Sequence, residues 1–242
     1  MTAQQPTIVA TSGGFRQGRR TPLAFAPLVH HAVELARVAG RAPRVAYLGT
    51  AAGDQEGFSA RVLAAGRDAG FDTTVLSLFT MPSVDDVRAH LLAQDVVWVG
   101  GGSVANLLAV WRVHGLDVIF REVWEAGVVL GGVSAGSICW HVGGTTDSFG
   151  PELAPVTDGL ALLPYGNGVH MDSEAARWPL LRALVADGTL PTSHATDDGV
   201  GLVYAGTELA EAVGEVAGAG AYTLERTAGG LVETRLATRL LS

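Results

Sequence analysis

Residues 128–140 read VVLGGVSAGSICW. Val128, Val129 and Leu130, residues suited to a buried strand, lead straight into Gly132-Val133-Ser134-Ala135-Gly136. Glycines on either side of a serine suit a backbone that turns sharply and lies close to its neighbours. A strand running into Gly-x-Ser-x-Gly and on into a helix presents the serine hydroxyl at the apex of the turn, as a nucleophile requires. The same residues also fit an ordinary strand-to-helix turn whose serine merely caps the next helix. The rest of the chain has to separate the two.

Similar runs recur upstream. TIVAT at 7–11 ends in Ser12-Gly13-Gly14, RVAYLGTAAGD from Arg44 leaves a strand through a glycine-rich exit, a third strand is expected over 73–78, and 96–99 ends in Gly100-Gly101-Gly102. Between them, apolar spacing predicts helices over 27–39, with Leu28, Val29, Ala32, Leu35 and Ala36 on one stripe, and over 58–69, 84–92 (capped by Ser83), 106–114 and 118–126. Continuous apolar strands separated by helices indicate a parallel sheet covered on both faces. After Ser134 the pattern changes. Residues 143–158 read as a long loop or a short excursion, 165–171 as a strand, 174–186 as a helix, and 199–204, 211–216 and 221–225 as short strands. Without a repeat or a disordered linker, one α/β domain over 1–242 is expected.

Composition narrows the function. The chain has 242 residues, 48% hydrophobic and 17% charged, enough apolar material for an extensive core. A net charge of −8 argues against nucleic acid or an anionic membrane as the main partner. Arg16, Arg19 and Arg20 form the only basic cluster, either a solvated loop or a flap over the site. The single cysteine, Cys139, rules out an intrachain disulfide and a cysteine metal cluster, and is expected inside the helix after Ser134 as a small buried hydrophobe. MTAQQPTIVA has no basic region followed by an apolar one, and no run approaches the length of a membrane span, so neither a signal peptide nor a membrane segment is expected. A cytoplasmic location is the expectation.

A serine hydroxyl needs a base, and the base an orienting acid. His30, His31, His90 and His114 fall on helices, and His141 lies in the expected helix leaving Ser134, pointing away from its mouth. His170, ending YGNGVH, and His194, in TSHATDD, remain as bases; His170 is preferred because it ends a strand and precedes polar residues. Asp147, Glu152 and Asp158 are candidate acids, all in the segment between Ser134 and His170. An oxyanion would rest on the N–H of Ala135 and on that of Gly101 or Gly102. The same glycine run could cradle a phosphate, but it lacks the Gly-Lys-Ser/Thr ending of a P-loop and the spaced glycines of the dinucleotide fingerprint.

VVWVGGGSVANLL, GGVSAGSICW, GGTTDS and VHMDSEAARW together resemble the peptidase E family of serine peptidases and, more distantly, the cyanophycinases. The resemblance runs from about Thr7 to Tyr204 and is strongest over 96–177. It implies a flavodoxin-like α/β fold, no metal or cofactor, and cytosolic cleavage of small peptides after an N-terminal aspartate. It gives Ser134 as nucleophile, His170 as base and Asp147 as acid, with Glu152 second because cyanophycinases use a glutamate a little further on. It also gives Arg177 as the residue that grips the substrate aspartate, against the plainer reading of a surface helix residue paired with Glu174. Val169 stands where proline is common in the family. A homodimer is compatible with the family.

Rival readings are a cyanophycinase-like hydrolase of aspartate–arginine peptides and a non-catalytic small-molecule binder on the same fold. An α/β-hydrolase esterase shares the order Ser, acid, His, but needs more strands than the segment before His170 holds. A binder would keep ligand affinity without Ser134; a hydrolase would lose turnover.

Overall fold

The computed structural model describes residue 3 and residues 5–242; Met1, Thr2 and Gln4, part of the stretch expected to lack a signal peptide, lie outside the described residues. The buried strand β1 (Thr7–Thr11) leads into a hairpin of β2 (Phe15–Arg16) and β3 (Ala24–Phe25), on which Arg16, Arg19 and Arg20 are exposed. Helix α1 (Pro27–Leu35) opens on a proline, whose fixed φ suits a first helical turn, and stops short of the expected 39, with Arg37 at φ 52°. Next come β4 (Arg44–Leu48), α2 (Glu56–Ala69), ended by Gly70 in the left-handed region, and β5 (Asp72–Leu76).

Helix α3 (Val87–Leu92) is capped by Asp86, which accepts from the Ala89 N–H; the expected cap, Ser83, instead accepts from the Ser77 N–H. After β6 (Val96–Val99), Ser103 caps α4 (Val104–Val113) by accepting from the Asn106 N–H at 3.2 Å. Helix α5 (Leu116–Glu125), β7 (Val129–Val133) and the four-residue α6 (Ala135–Ile138) follow. Because α6 ends at Ile138, Cys139 and His141 lie beyond it rather than on it, both fully buried.

The remaining elements are β8 (Gly143–Thr146), β9 (Ala154–Val156), β10 (Gly166–Gly168), α7 (Arg177–Asp187), β11 (Ser193–Thr196), β12 (Val200–Ala205), β13 (Glu208–Gly214), β14 (Ala221–Thr227), β15 (Gly230–Leu236) and β16 (Thr238–Leu240). The expected loop at 143–158 therefore supplies a hairpin, and β11, β15 and β16 stand where no strand was expected.

The main sheet has the order β16-β13-β12-β1-β7-β6-β4-β5. From β1 to β5 all neighbours are parallel, as the alternating strands and helices predict; β12 and β13 add to its other side in antiparallel fashion. A second sheet, β15-β14-β11-β10-β8-β9, is built from the segments after α6, with β10 parallel to both β8 and β11. One apolar cluster packs α4, α5 and the α6 region on the main sheet and reaches Val156 of β9 and the neighbouring Leu163 and Val169; another packs α1 and α2 on the opposite face. This is a mixed α/β fold with a large, mainly parallel sheet. Among the described residues no helix is long and apolar enough to cross a membrane.

Candidate active site

Ser134 sits between β7 and α6 at φ 57°, ψ −113°, a conformation that L residues rarely adopt. Its backbone is held on both sides: the Ser134 N–H donates to the Thr11 carbonyl at 3.0 Å, and its own carbonyl accepts from Ser137 and Ile138 at 2.8 and 2.9 Å. Its side chain makes no capping hydrogen bond to α6. The reading of Ser134 as a mere helix cap is therefore excluded. The glycines beside it have a packing reason. A Cβ on Gly132 would lie 2.5 Å from the Gly136 carbonyl oxygen and 2.6 Å from that of Val99, and one on Gly136 would also strike Val99. Small residues let β7, the turn and β6 approach this closely.

The glycine run after β6 ends beside the serine. A Cβ built on Gly101 would lie 3.2 Å from Ser134 Cβ and 3.8 Å from its Oγ. Gly102 takes φ 137° and packs against the Ala51 carbonyl, which also accepts from the Ser103 N–H. Among the described residues the N–H groups of Gly101, Gly102 and Ala135 have no hydrogen-bond partner, and Ala135 is buried. Buried amides are nearly always paired. Unpaired donors beside a serine can receive an oxyanion.

His170 lies two residues beyond β10 and is also held at positive φ, 56°. Its N–H donates to Ser12 Oγ at 3.1 Å, so Ser134 and His170 hang from the consecutive residues Thr11 and Ser12 at the end of β1. Ser12 Oγ also lies 2.6 Å from Thr196 Oγ1, which ties the main sheet to β11 of the second.

The acid paired with His170 is Asp198, not Asp147 or Glu152. His170 Nδ1 lies 2.5 Å from Asp198 Oδ1. Asp147 and Glu152 are exposed residues between β8 and β9, where the chain folds back into a hairpin; Asp158 pairs with Arg112. Asp198 follows β11, the parallel neighbour of β10, so both partners emerge side by side at one sheet edge. Partial burial pushes the Asp198 carboxyl up. Hydrogen bonds from His170 and Ser173 and the charge of Arg177 outweigh this and hold it below the usual aspartate value. The pairing fixes Nδ1 as the donor and leaves Nε2 free to act as a base.

His194 is not at a strand end but inside β11, buried, with Nδ1 2.8 Å from the Tyr204 hydroxyl. Tyr204 also meets His141 Nε2 at 3.3 Å, and His141 Nδ1 donates to the Ser137 carbonyl at 2.9 Å. Burial lowers His194 to about 4 and His141 to about 3. Both are neutral structural groups near pH 7.

Arg177 opens α7 and is only 3% exposed. Nε donates to Glu174 at 2.8 Å and Nη1 to the Thr145 carbonyl at 2.7 Å. The pairing with Glu174 expected of a surface arginine is present, but the residue is buried, and these contacts leave Nη2 uncommitted. Sequence reasoning missed Asp198 and Ser12. TDDG at 196–199 carried the signal for Asp198, since an acid just past a strand belongs to the site edge; Ser12 gave no signal of its own.

The chain is thus an α/β protein with a serine at the carboxyl edge of a mainly parallel sheet and a histidine–aspartate pair bound to the same edge. It belongs to peptidase family S51: the model described as "Peptidase family S51" matches residues 15–212. It is 38% identical over 180 residues to the uncharacterised peptidase YgaJ of Bacillus subtilis strain 168, covering 74% of this chain and 77% of that one. In fold it resembles a peptidase from an acI-B1 actinobacterium, at TM-score 0.69 and 16% identity, covering 98% of this chain and 96% of that one. It also resembles a Listeria monocytogenes EGD-e protein named after peptidase E, at TM-score 0.60 and 16% identity, covering 96% and 100%. Family membership makes the chain a peptidase of the serine type, in line with the resemblance to peptidase E.

Proposed function

We propose that this peptidase hydrolyses the bond after an N-terminal aspartate in small peptides through an acyl-enzyme, with Ser134, His170 and Asp198 as its triad. The observation that carries the triad is the short His170–Asp198 pair, with its histidine anchored beside the residue that holds Ser134. His170 Nε2 takes the Ser134 proton as Oγ attacks the carbonyl carbon. The oxyanion rests on the Ala135 amide and that of Gly101 or Gly102, and the leaving amine takes the proton from His170. Water, deprotonated by His170, then releases the acyl group. Asp198 stays ionised and stabilises the imidazolium.

The aspartate preference is assigned to Arg177, a permanently charged donor whose Nη2 is left for a carboxylate. The test is hydrolysis of Asp, Glu, Asn, Ala and Leu p-nitroanilides by wild type, Ser134→Ala and Arg177→Ala. Cleavage of Asp alone, abolished by Ser134→Ala and made unselective by Arg177→Ala, is expected. Cleavage of Leu or Ala as fast as Asp overturns the specificity.

A further inference from the structure

Next to Ser134 lies a cavity of about 210 Å³ that the mechanism above does not use. Gly101 and Val133 form its wall toward the serine, and three aromatic rings line it further: Phe15 of β2, Tyr47 of β4 and Phe58 of α2. The rings brace one another. Phe15 meets Phe58 at 5.7 Å and Tyr47 at 6.3 Å, both edge to face, and Tyr47 and Phe58 lie tilted at 5.9 Å. Such pairs hold their geometry beyond what burial alone provides. The Tyr47 hydroxyl packs against Gly100, where a Cβ would strike it, and burial raises its pKa far above the ordinary value, so it stays neutral. Among the described residues no charged side chain lines the cavity, and besides Tyr47 its polar side chains are Gln55 and Ser59.

A preformed, uncharged, aromatic pocket of this size suits one apolar side chain. Its place suits a peptide held at Ser134, because Phe15 continues the same stretch whose Thr11 and Ser12 hold Ser134 and His170. From Ser134 it is reached across Gly101 toward β6 and β4, whereas Arg177 is held by Thr145 of the second sheet. The apolar cavity and the Arg177 guanidinium therefore belong to different sheets.

We infer that the Phe15–Tyr47–Phe58 cavity binds an apolar side chain of the substrate residue that follows the scissile bond. The choice of that residue rests on the aspartyl-peptidase reading, which gives Arg177 to the residue before the bond. The cavity makes the enzyme selective for Asp–apolar dipeptides over Asp-Gly.

The experiment measures kcat/KM for Asp-Leu, Asp-Phe and Asp-Gly, and for Ala-Leu, Ala-Gly, Leu-Ala and Gly-Ala. Wild type is compared with Ser59→Phe, which fills the cavity from a half-exposed position, and Phe58→Ala, which opens it. Wild type is expected to favour Asp-Leu over Asp-Gly by about tenfold or more, the scale of a well-filled apolar pocket. Both variants should bring the ratio within about threefold of unity. A ratio near one in wild type, or one that neither variant moves, overturns the inference. If Ala-Leu is cleaved as well as Asp-Leu and the Leu-over-Gly preference still responds to Ser59→Phe, the subsite stands and the aspartate reading falls. If the variants instead move Leu-Ala against Gly-Ala, the cavity holds the residue before the bond and the assignment is overturned. Affinity of the Ser134→Ala protein for Asp-Leu and Asp-Gly gives a readout free of turnover, and equal affinities there also overturn it.

Discussion

His170 Nδ1 lies 2.5 Å from Asp198 Oδ1, across the ends of two parallel strands that lie side by side. The pair fixes which ring nitrogen carries the proton and keeps an ionised carboxylate behind it. Replacing Asp198 by Asn removes that charge and permits the wrong tautomer. A fall in kcat of about a thousandfold or more is expected for Asp198→Asn. Asp147→Asn and Glu152→Gln, on their exposed hairpin, are expected to stay within about twofold of wild type. Steady-state kinetics of the three variants check this; a large loss in Asp147→Asn with none in Asp198→Asn would reverse the assignment.

Ser12 acts through His170. Its hydroxyl accepts the His170 N–H and meets Thr196 Oγ1, so it fixes a backbone held at positive φ. Ser12→Ala is expected to lower kcat about tenfold to a hundredfold with little change in KM, while Ser12→Thr, which retains a hydroxyl, recovers part of the loss. A change in KM alone would show that Ser12 only shapes the binding cleft.

The glycines around Ser134 are required by packing as much as by the turn. In Gly132→Ala the new methyl would meet two carbonyl oxygens at 2.5 and 2.6 Å. Backbone cannot give way as a side chain can, so a loss of about 3 kcal/mol of stability or more is expected. Urea unfolding measures it, and a wild-type midpoint for this variant would show that β7 and α6 can separate.

Buried His194 and His141 make the fold sensitive to acid. Their pKa values fall from 6.5 to about 4 and about 3 in the folded chain, chiefly through burial. Between those values and 6.5 the unfolded chain takes up protons that the folded chain does not. Stability is therefore complete above about pH 6.5 and declines as the pH falls toward 4. Urea midpoints at pH 7.5, 6, 5 and 4.5 are expected to fall steadily, with a shallower decline in His194→Gln. A flat profile over this range would mean that the His194–Tyr204–His141 chain opens to water at little cost.

The sequence by itself determined the alternating strands and helices of the parallel half of the main sheet, because fully buried strands must be continuously apolar and their crossover helices must carry one apolar stripe. Ser134 was legible for a local reason, since a close strand-to-helix turn leaves its mark as flanking glycines. The resemblance in the surrounding motifs pointed to the peptidase class. The second sheet was legible only in part, through the strands expected over 165–171 and 221–225, where β10 and β14 lie. Its other strands, such as GGTT at 143–146 and SHAT at 193–196, are short, polar or glycine-rich, and become strands through pairing with distant partners. For the same reason only the tertiary structure decided the acid. Asp147 is nearer to Ser134 along the chain, but parallel pairing of β10 and β11 brings the residue two past β11 to the histidine two past β10. The aromatic cavity is likewise tertiary, because Phe15, Tyr47 and Phe58 come from β2, β4 and α2 and meet only once these elements pack together.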